Sequence, residues 1–125
     1  MCAMDPDLFE SFVADAIEAL PEVFREAADN VMIVVEDWPD RATLQSAGIR
    51  SPAQLLGFYH GVPQTGRTTN YGMVTPDKIS IYRRPIELRC RSEAEVRDLV
   101  TRVVQHELAH HFGIDDDRLE EIGAY

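Results

Sequence analysis

The sequence predicts one domain of the α+β class, with helices towards both ends of the chain and short strands between them. Its 125 residues are typical of a single domain and are enough to bury one hydrophobic core. Apolar residues recur at helical spacing over 6–20 and 92–112, whereas short runs rich in branched apolar residues fall at 31–36 and 77–86. We therefore expect residues 1–125 to form a single domain.

The composition is that of a globular protein, with 45% hydrophobic and 27% charged residues. A net charge of −10 makes phosphate backbones poor partners, so we expect no nucleic acid as ligand. Seven of the twelve basic residues lie between Lys78 and Arg102, which we interpret as a solvated face. The N-terminus does not resemble a signal peptide, and there is no apolar run of about 18 residues. We therefore expect a cytoplasmic protein without membrane contact, in which Cys2 and Cys90 are reduced thiols.

The first half of the chain is predicted to be mixed in structure. Asp5 and Pro6 begin a helix, Pro21 interrupts it, and a second helical piece ends near Asn30. The apolar run VMIVVE at 31–36 predicts a strand that is buried on both faces and central in a sheet. Residues 37–52 combine turn residues with a short helix, residues 58–62 form a strand, and residues 63–72 form a loop.

The second half begins with a strand and then becomes helical. Residues 77–86 alternate apolar and polar side chains, which predicts a half-exposed strand, and Pro85 favours an edge position. Ser92 and Glu95 form a capping box for a helix that runs to about Phe112, where Gly113 stops it. Its buried stripe consists of apolar residues at helical spacing: Val96, Leu99, Val100, Val103 and Val104. A shorter helix over 117–124 closes the chain.

His106, Glu107 and His110 form the motif H-E-x-x-H on this helix, at the edge of the buried stripe. Histidines four residues apart project from one side of a helix, so both imidazoles can bind one zinc ion at about 2.0–2.1 Å. The carboxylate of Glu107 can take a proton from a metal-bound water and pass it to a leaving amine. The pattern predicts one zinc per chain, bound by His106 and His110, with Glu107 as general base.

A catalytic zinc needs a third protein ligand and one open position. Gly113 lets the chain turn back, so that Asp116, ten residues after His106, can reach the metal and complete H-E-x-x-H-x-x-G-x-x-D. We assign Asp116 as the third ligand. Three nearby acids remain competitors for that role: Asp115, Asp117 and Glu120. Any of the three aspartates could instead cap the final helix.

Four other polar residues are weaker candidates: His60, His111, Tyr82 and Tyr125. We expect the first histidine to be a strand or turn residue and the second to lie on the surface. Either tyrosine could donate a hydrogen bond to a transition-state oxyanion, but the sequence places neither near the metal. None of the four is assigned to the site.

The motif and the sequence around it resemble a family of small bacterial zincin-like metallopeptidases, formerly described as a domain of unknown function. HELAHHFGIDDDRLEEIGAY carries the resemblance, and FVADAIEALPEVFREAADNVMIVVEDWPD, LLGFYHGVP and DKISIYRRPIE support it over nearly the whole chain. It implies a minimal zincin-like α+β fold, in which a small mixed β-sheet packs against the active-site helix. It also implies zinc on His106, His110 and Asp116, with Glu107 as general base.

The extended motif also looks like that of metzincin peptidases with aspartate as third ligand, which have a methionine turn well downstream. Here nine residues follow Asp116 and no methionine follows Met73, so the lower wall of a usual peptidase cleft is missing. We therefore expect short or flexible peptides as substrates, or a cleft completed by a partner or by a second copy of the chain. An extended peptide would add to a sheet edge, for which residues 78–84 are the candidate.

Two alternatives to a zinc peptidase stay open. A bacterial endoribonuclease family of ribosomal RNA maturation has H-x-x-x-H-x-x-x-x-x-H with a glycine at the offset of Gly113, but it has histidine where this chain has Asp116. The acid at Glu107 and the net charge of −10 speak against it. The other alternative is a zinc-binding module without catalysis. Glu107 speaks against this alternative too, because structural zinc sites usually have four protein ligands with no open position and need no general base.

Overall fold

The computed structural model describes residues 4–22, 25, 31–60 and 77–111, with the side chain of His111 outside this set. The elements within it, in chain order, are α1 (Pro6–Glu18), β1 (Val31–Glu36), α2 (Arg41–Ala47), a 3₁₀ helix (Pro52–Gln54), β2 (Gly57–His60), β3 (Asp77–Tyr82), α3 (Arg83–Arg89) and α4 (Glu93–His111). Most of the predicted helical piece at 21–30, the loop at 63–72 and everything from Phe112 onward lie outside the described residues.

The three described strands form one mixed sheet in the order β1-β3-β2. β1 is parallel to β3, from Val31 opposite Asp77 to Glu36 opposite Tyr82. β2 is antiparallel to β3, with Gly57 opposite Ile81. A parallel pair needs a long crossover, and α2, the 3₁₀ helix and β2 all lie in the chain between β1 and β3. A small mixed sheet against the motif-bearing helix confirms the predicted zincin-like α+β architecture.

The core lies between this sheet and the helices α1 and α4. Phe9 from α1, Ile79 and Ile81 from β3, and Val100 and Val104 from α4 are all fully buried in it. The predicted helix starts are confirmed by their caps. The carboxylate of Asp5 accepts from the N–H of Asp7 at 2.8 Å, and Oγ of Ser92 accepts from the N–H of Glu95 at 3.2 Å.

The predicted positions of two strands in the sheet are wrong. β1 lies at an edge of the described sheet rather than at its centre, and Met32 in it is 55% exposed. The strand predicted at an edge is the central β3, and it ends at Tyr82. Its polar Ser80 is nevertheless completely buried. Burial of this hydroxyl is tolerated because it donates to Glu36 and lies 3.1 Å from Nε2 of His60. A pattern of alternating apolar and polar residues cannot identify a serine that is buried with its hydroxyl hydrogen-bonded.

The role predicted for Pro85 is also wrong, because it lies in the first turn of α3 rather than on a strand edge. A proline is tolerated there because the first N–H groups of a helix have no partner within the helix. The α3 helix is anchored by a buried polar cluster. Arg83 donates to Asp37 and Glu87, and Glu87 accepts from the backbone N–H of Met4 at 3.0 Å.

Within the described residues, no helix combines the length and apolar character needed to cross a bilayer.

Candidate metal centre

The C-terminal part of α4 brings three of the four predicted site residues into one group. The ligand atoms of His106, Glu107 and His110 all lie within 4.8 Å of one another. The two imidazole rings are one helical turn apart, with centroids 4.6 Å apart and planes inclined by 65°. This grouping is what H-E-x-x-H spacing on a helix predicts.

Burial differs across the group. Glu107 is only 8% exposed, whereas His106 and His110 are half-buried. Nδ1 of His106 is buried, so a ligand nitrogen of this ring that faces solvent has to be Nε2. Nδ1 of His110 lies 3.4 Å from Oε1 of Glu107, a distance at which a protonated imidazole and a carboxylate form an ion pair. The three polar groups therefore sit where the buried face of α4 meets the surface.

The donor set suits zinc, which binds imidazole nitrogen and carboxylate oxygen. Two ligands bound at 2.0–2.1 Å in a tetrahedral arrangement lie about 3.3 Å apart. A group whose ligand atoms all lie within 4.8 Å of one another can reach that separation by small rotations of partly exposed side chains. The described residues thus fit two histidine ligands with a carboxylate beside them.

Gly57, the first residue of β2, is a positioning residue that the sequence reasoning missed. A Cβ atom added there would lie 2.7 Å from Cγ1 of Val103 and 3.1 Å from Cγ of Glu107. The sheet and the motif-bearing helix can therefore approach this closely only because Gly57 has no side chain. A glycine inside a strand pattern is the signal that could have found it, since it often marks a close backbone approach.

A cleft of about 320 Å³ opens beside the group, between α4 and the start of β2. The described residues of its lining are mainly apolar, with one arginine and two members of the metal group: Leu55, Leu56, Gly57, Leu99, Arg102, Val103, His106 and Glu107. A cleft bordered by a candidate metal group and an apolar wall is a typical place for a substrate side chain.

His60 and Tyr82 point to the opposite face of the sheet, because Gly57 and Ile81 face α4 and side chains alternate along a strand. Burial lowers the pKa of His60, with a smaller lowering from the charge of Lys78. Burial raises the pKa of Tyr82. Neither residue belongs to the metal group that the described residues form.

The remaining sequence candidates lie outside the described residues. These are Asp116, its competitors Asp115, Asp117 and Glu120, the turn residue Gly113, the side chain of His111, and Tyr125.

The family model for zincin-like metallopeptidases matches residues 28–124, a span that includes the whole H-E-x-x-H-x-x-G-x-x-D motif. A search of curated proteins found no match.

Proposed function

Because the chain belongs to the zincin-like metallopeptidase family, we propose that it is a zinc-dependent peptidase that hydrolyses short or flexible peptides. The observation that carries the proposal is the group formed by His106, Glu107 and His110, two imidazoles with a buried carboxylate between them in sequence. A closed structural zinc site has no need of such a carboxylate beside its histidines.

In the proposed site His106, His110 and Asp116 hold one zinc per chain. A zinc ion in such a site polarises the scissile carbonyl and lowers the pKa of water to about 7. The half-buried histidines can bind an ion while one side of the site stays open to substrate.

Glu107 is the proposed general base. Its carboxylate accepts a proton from the water that attacks the carbonyl carbon, and then donates this proton to the nitrogen of the leaving amine as the C–N bond breaks. The water oxygen ends in the new carboxylate product. Glu107 is suited to this task because it is buried and its Cγ lies close to Gly57, which restricts where the carboxylate can point.

The expected substrate strand along residues 78–84 is excluded, because β3 is paired with a strand on each side. No described strand lies beyond β2 in the sheet, and its first residue, Gly57, lies against Glu107. We therefore place an extended peptide along β2, where backbone hydrogen bonds would align it past the metal group.

Zinc removal and restoration test the proposal. The zinc-loaded chain should cleave members of a flexible peptide library, lose this activity in chelator, and regain it with one equivalent of zinc. A structured RNA incubated in parallel should remain intact. Cleavage of the RNA would favour the endoribonuclease alternative, and one bound zinc without any peptide turnover would favour a non-catalytic zinc module.

The third ligand is tested by comparing neighbouring aspartates. Asp116→Ala should weaken zinc binding by at least about tenfold, because it removes a direct ligand. Asp115→Ala and Asp117→Ala serve as matched controls and should leave zinc affinity nearly unchanged. Equal losses in all three variants, measured by competition with a fluorescent zinc chelator, would contradict the assignment.

A further inference from the structure

We propose that the cleft between α4 and β2 binds an apolar substrate side chain that lies next to a carboxylate, and that Arg102 binds this carboxylate. The inference rests on the proposed function, because it names the substrate class of the same site. It makes Arg102 a specificity-determining residue.

The cleft is suited to one side chain. Its volume of about 320 Å³ is near the lower end of the range for ligand pockets, which is about 300–1,000 Å³. Four apolar residues line it: Leu55, Leu56, Leu99 and Val103. Because His106 and Glu107 line the same cleft, a side chain inserted there belongs to a residue at or next to the bond that is cleaved.

Among the described residues that line this cleft, Arg102 is the only arginine or lysine. It is exposed and lies one helical turn before His106, on the same side of α4. Within the described part of the chain it forms no ion pair, whereas Arg97 on the same helix lies 3.8 Å from Asp15. Its guanidinium is exposed and lines the cleft, and a planar guanidinium matches a carboxylate with two parallel hydrogen bonds.

The helix sets the spacing between Arg102 and the metal group. Four residues span about 6 Å along a helix axis, so a carboxylate bound by Arg102 can belong to the residue at the cleaved bond or to its neighbour. Two sources of carboxylate satisfy this distance. One is the α-carboxylate of a C-terminal apolar residue, and the other is the side chain of an aspartate or glutamate that neighbours the apolar residue.

Binding of small probes to the zinc-loaded full chain tests the cleft without requiring turnover. N-acetyl-leucine should bind about tenfold more tightly than N-acetylglycine, because only the leucine side chain fills the apolar wall. Arg102→Gln should weaken N-acetyl-leucine about fivefold and leave N-acetyl-leucinamide unchanged, since the amide carries no charge for the guanidinium to bind. Arg91→Gln, which removes an exposed arginine outside the cleft, should change neither affinity.

Equal affinity for the leucine and glycine probes, or equal effects of Arg102→Gln and Arg91→Gln, would overturn the inference. These results are independent of catalysis. Probe binding that depends on Arg102 in a chain that cleaves no peptide would leave the cleft assigned and contradict the peptidase proposal. Peptide cleavage whose rate changes neither in Arg102→Gln nor with the apolar residue of the peptide would support the peptidase proposal and contradict the assignment of the cleft.

The source of the carboxylate is identified by peptide pairs that contain leucine. A free C-terminal acid is compared with its amide, and an amidated peptide with aspartate beside leucine is compared with its asparagine counterpart. In one pair the peptide with the carboxylate should have a lower KM than its neutral counterpart, and this pair names the source. The difference in KM should disappear in Arg102→Gln, while kcat stays nearly unchanged. The same KM within both pairs would contradict the inference.

Discussion

Gly57 links the sheet to the chemistry at the level of a single residue. It stands where β2 meets α4, and a Cβ there would also lie 3.2 Å from the carbonyl oxygen of Ser80. Two of the three nearest atoms belong to packed structure, the backbone of β3 and the buried Val103, so neither can move aside cheaply. The third neighbour is Glu107 itself. A change at Gly57 therefore affects the position of the proposed general base.

We predict that Gly57→Ala lowers both stability and activity. Overpacking of this kind costs about 1–3 kcal/mol, and the shift of Glu107 should reduce kcat about tenfold or more. Urea unfolding and peptide turnover measure the two effects. Gly48→Ala is the matched control, since Gly48 has a φ of 70° but nothing within 4 Å of an added Cβ. That variant should lose about 1 kcal/mol of stability and keep its kcat. An unchanged kcat in Gly57→Ala would show that the close approach does not position Glu107.

His60 makes stability depend on pH. Its pKa in the folded chain is held below the ordinary value of 6.5 by burial first and by Lys78 second, against the raising effects of Glu36, Asp40 and Glu107. The unfolded chain thus binds a proton more readily at this residue. The contribution of neutral His60 to stability is complete above about pH 6.5 and is lost as the pH falls through the lower folded pKa.

We predict that His60→Gln loses less stability than the wild type between pH 7.5 and pH 5.5. The measurement is the urea midpoint of both proteins at the two pH values, each in chelator so that the remaining histidines titrate alike. Parallel losses in the two proteins would contradict the role assigned to His60.

At the level of elements, α3 is fixed by the cluster of Arg83 and Glu87. Glu87 is completely buried and accepts hydrogen bonds from Met4, Arg83 and Arg84 at 3.0, 3.3 and 3.2 Å. Arg83 also donates to the backbone carbonyl of Met4 at 3.1 Å. The cluster therefore joins Met4, two residues before α1, to the helix that follows the central strand.

We predict that Glu87→Gln destabilises the fold by about 3 kcal/mol, because it removes the buried carboxylate of the cluster and leaves the exposed Asp37 as the only described carboxylate paired with the buried Arg83. Asp15→Asn is the control, since its pair with Arg97 is more than half exposed on both sides and should contribute less than about 1 kcal/mol. Thermal and urea unfolding compare the variants. Equal losses of unfolding free energy in both variants would mean that the buried cluster stabilises the fold no more than the exposed ion pair does.

The helices and strands differ in how well the sequence predicts them. The starts of α1 and α4 and the buried stripe of α4 followed from local capping and helical spacing. The order of the strands did not follow, because it depends on contacts between residues distant in the chain. Ser80 and Glu36 are 44 residues apart, and their hydrogen bond buries a position that reads as exposed. Helix α3 was missed because RRPIELR has no long apolar period and contains a proline.

At the level of the whole molecule, the metal group was the most predictable part of the site. His106, Glu107 and His110 lie on one helix, so their proximity follows from helical geometry alone. Gly57 and the apolar cleft come from the packing of β2 on α4, which sequence spacing does not specify. Asp116 as third ligand stays a prediction.

The proposed peptidase activity requires Glu107 to move the proton. The most direct measurement is kcat on the best-cleaved peptide for the wild type and Glu107→Gln, each first shown to hold one zinc per chain. We predict equal zinc content, a similar KM, and a kcat lowered by about 10²–10⁴-fold in the variant, because only the proton acceptor is removed. An unchanged kcat in the zinc-loaded variant would contradict the claim.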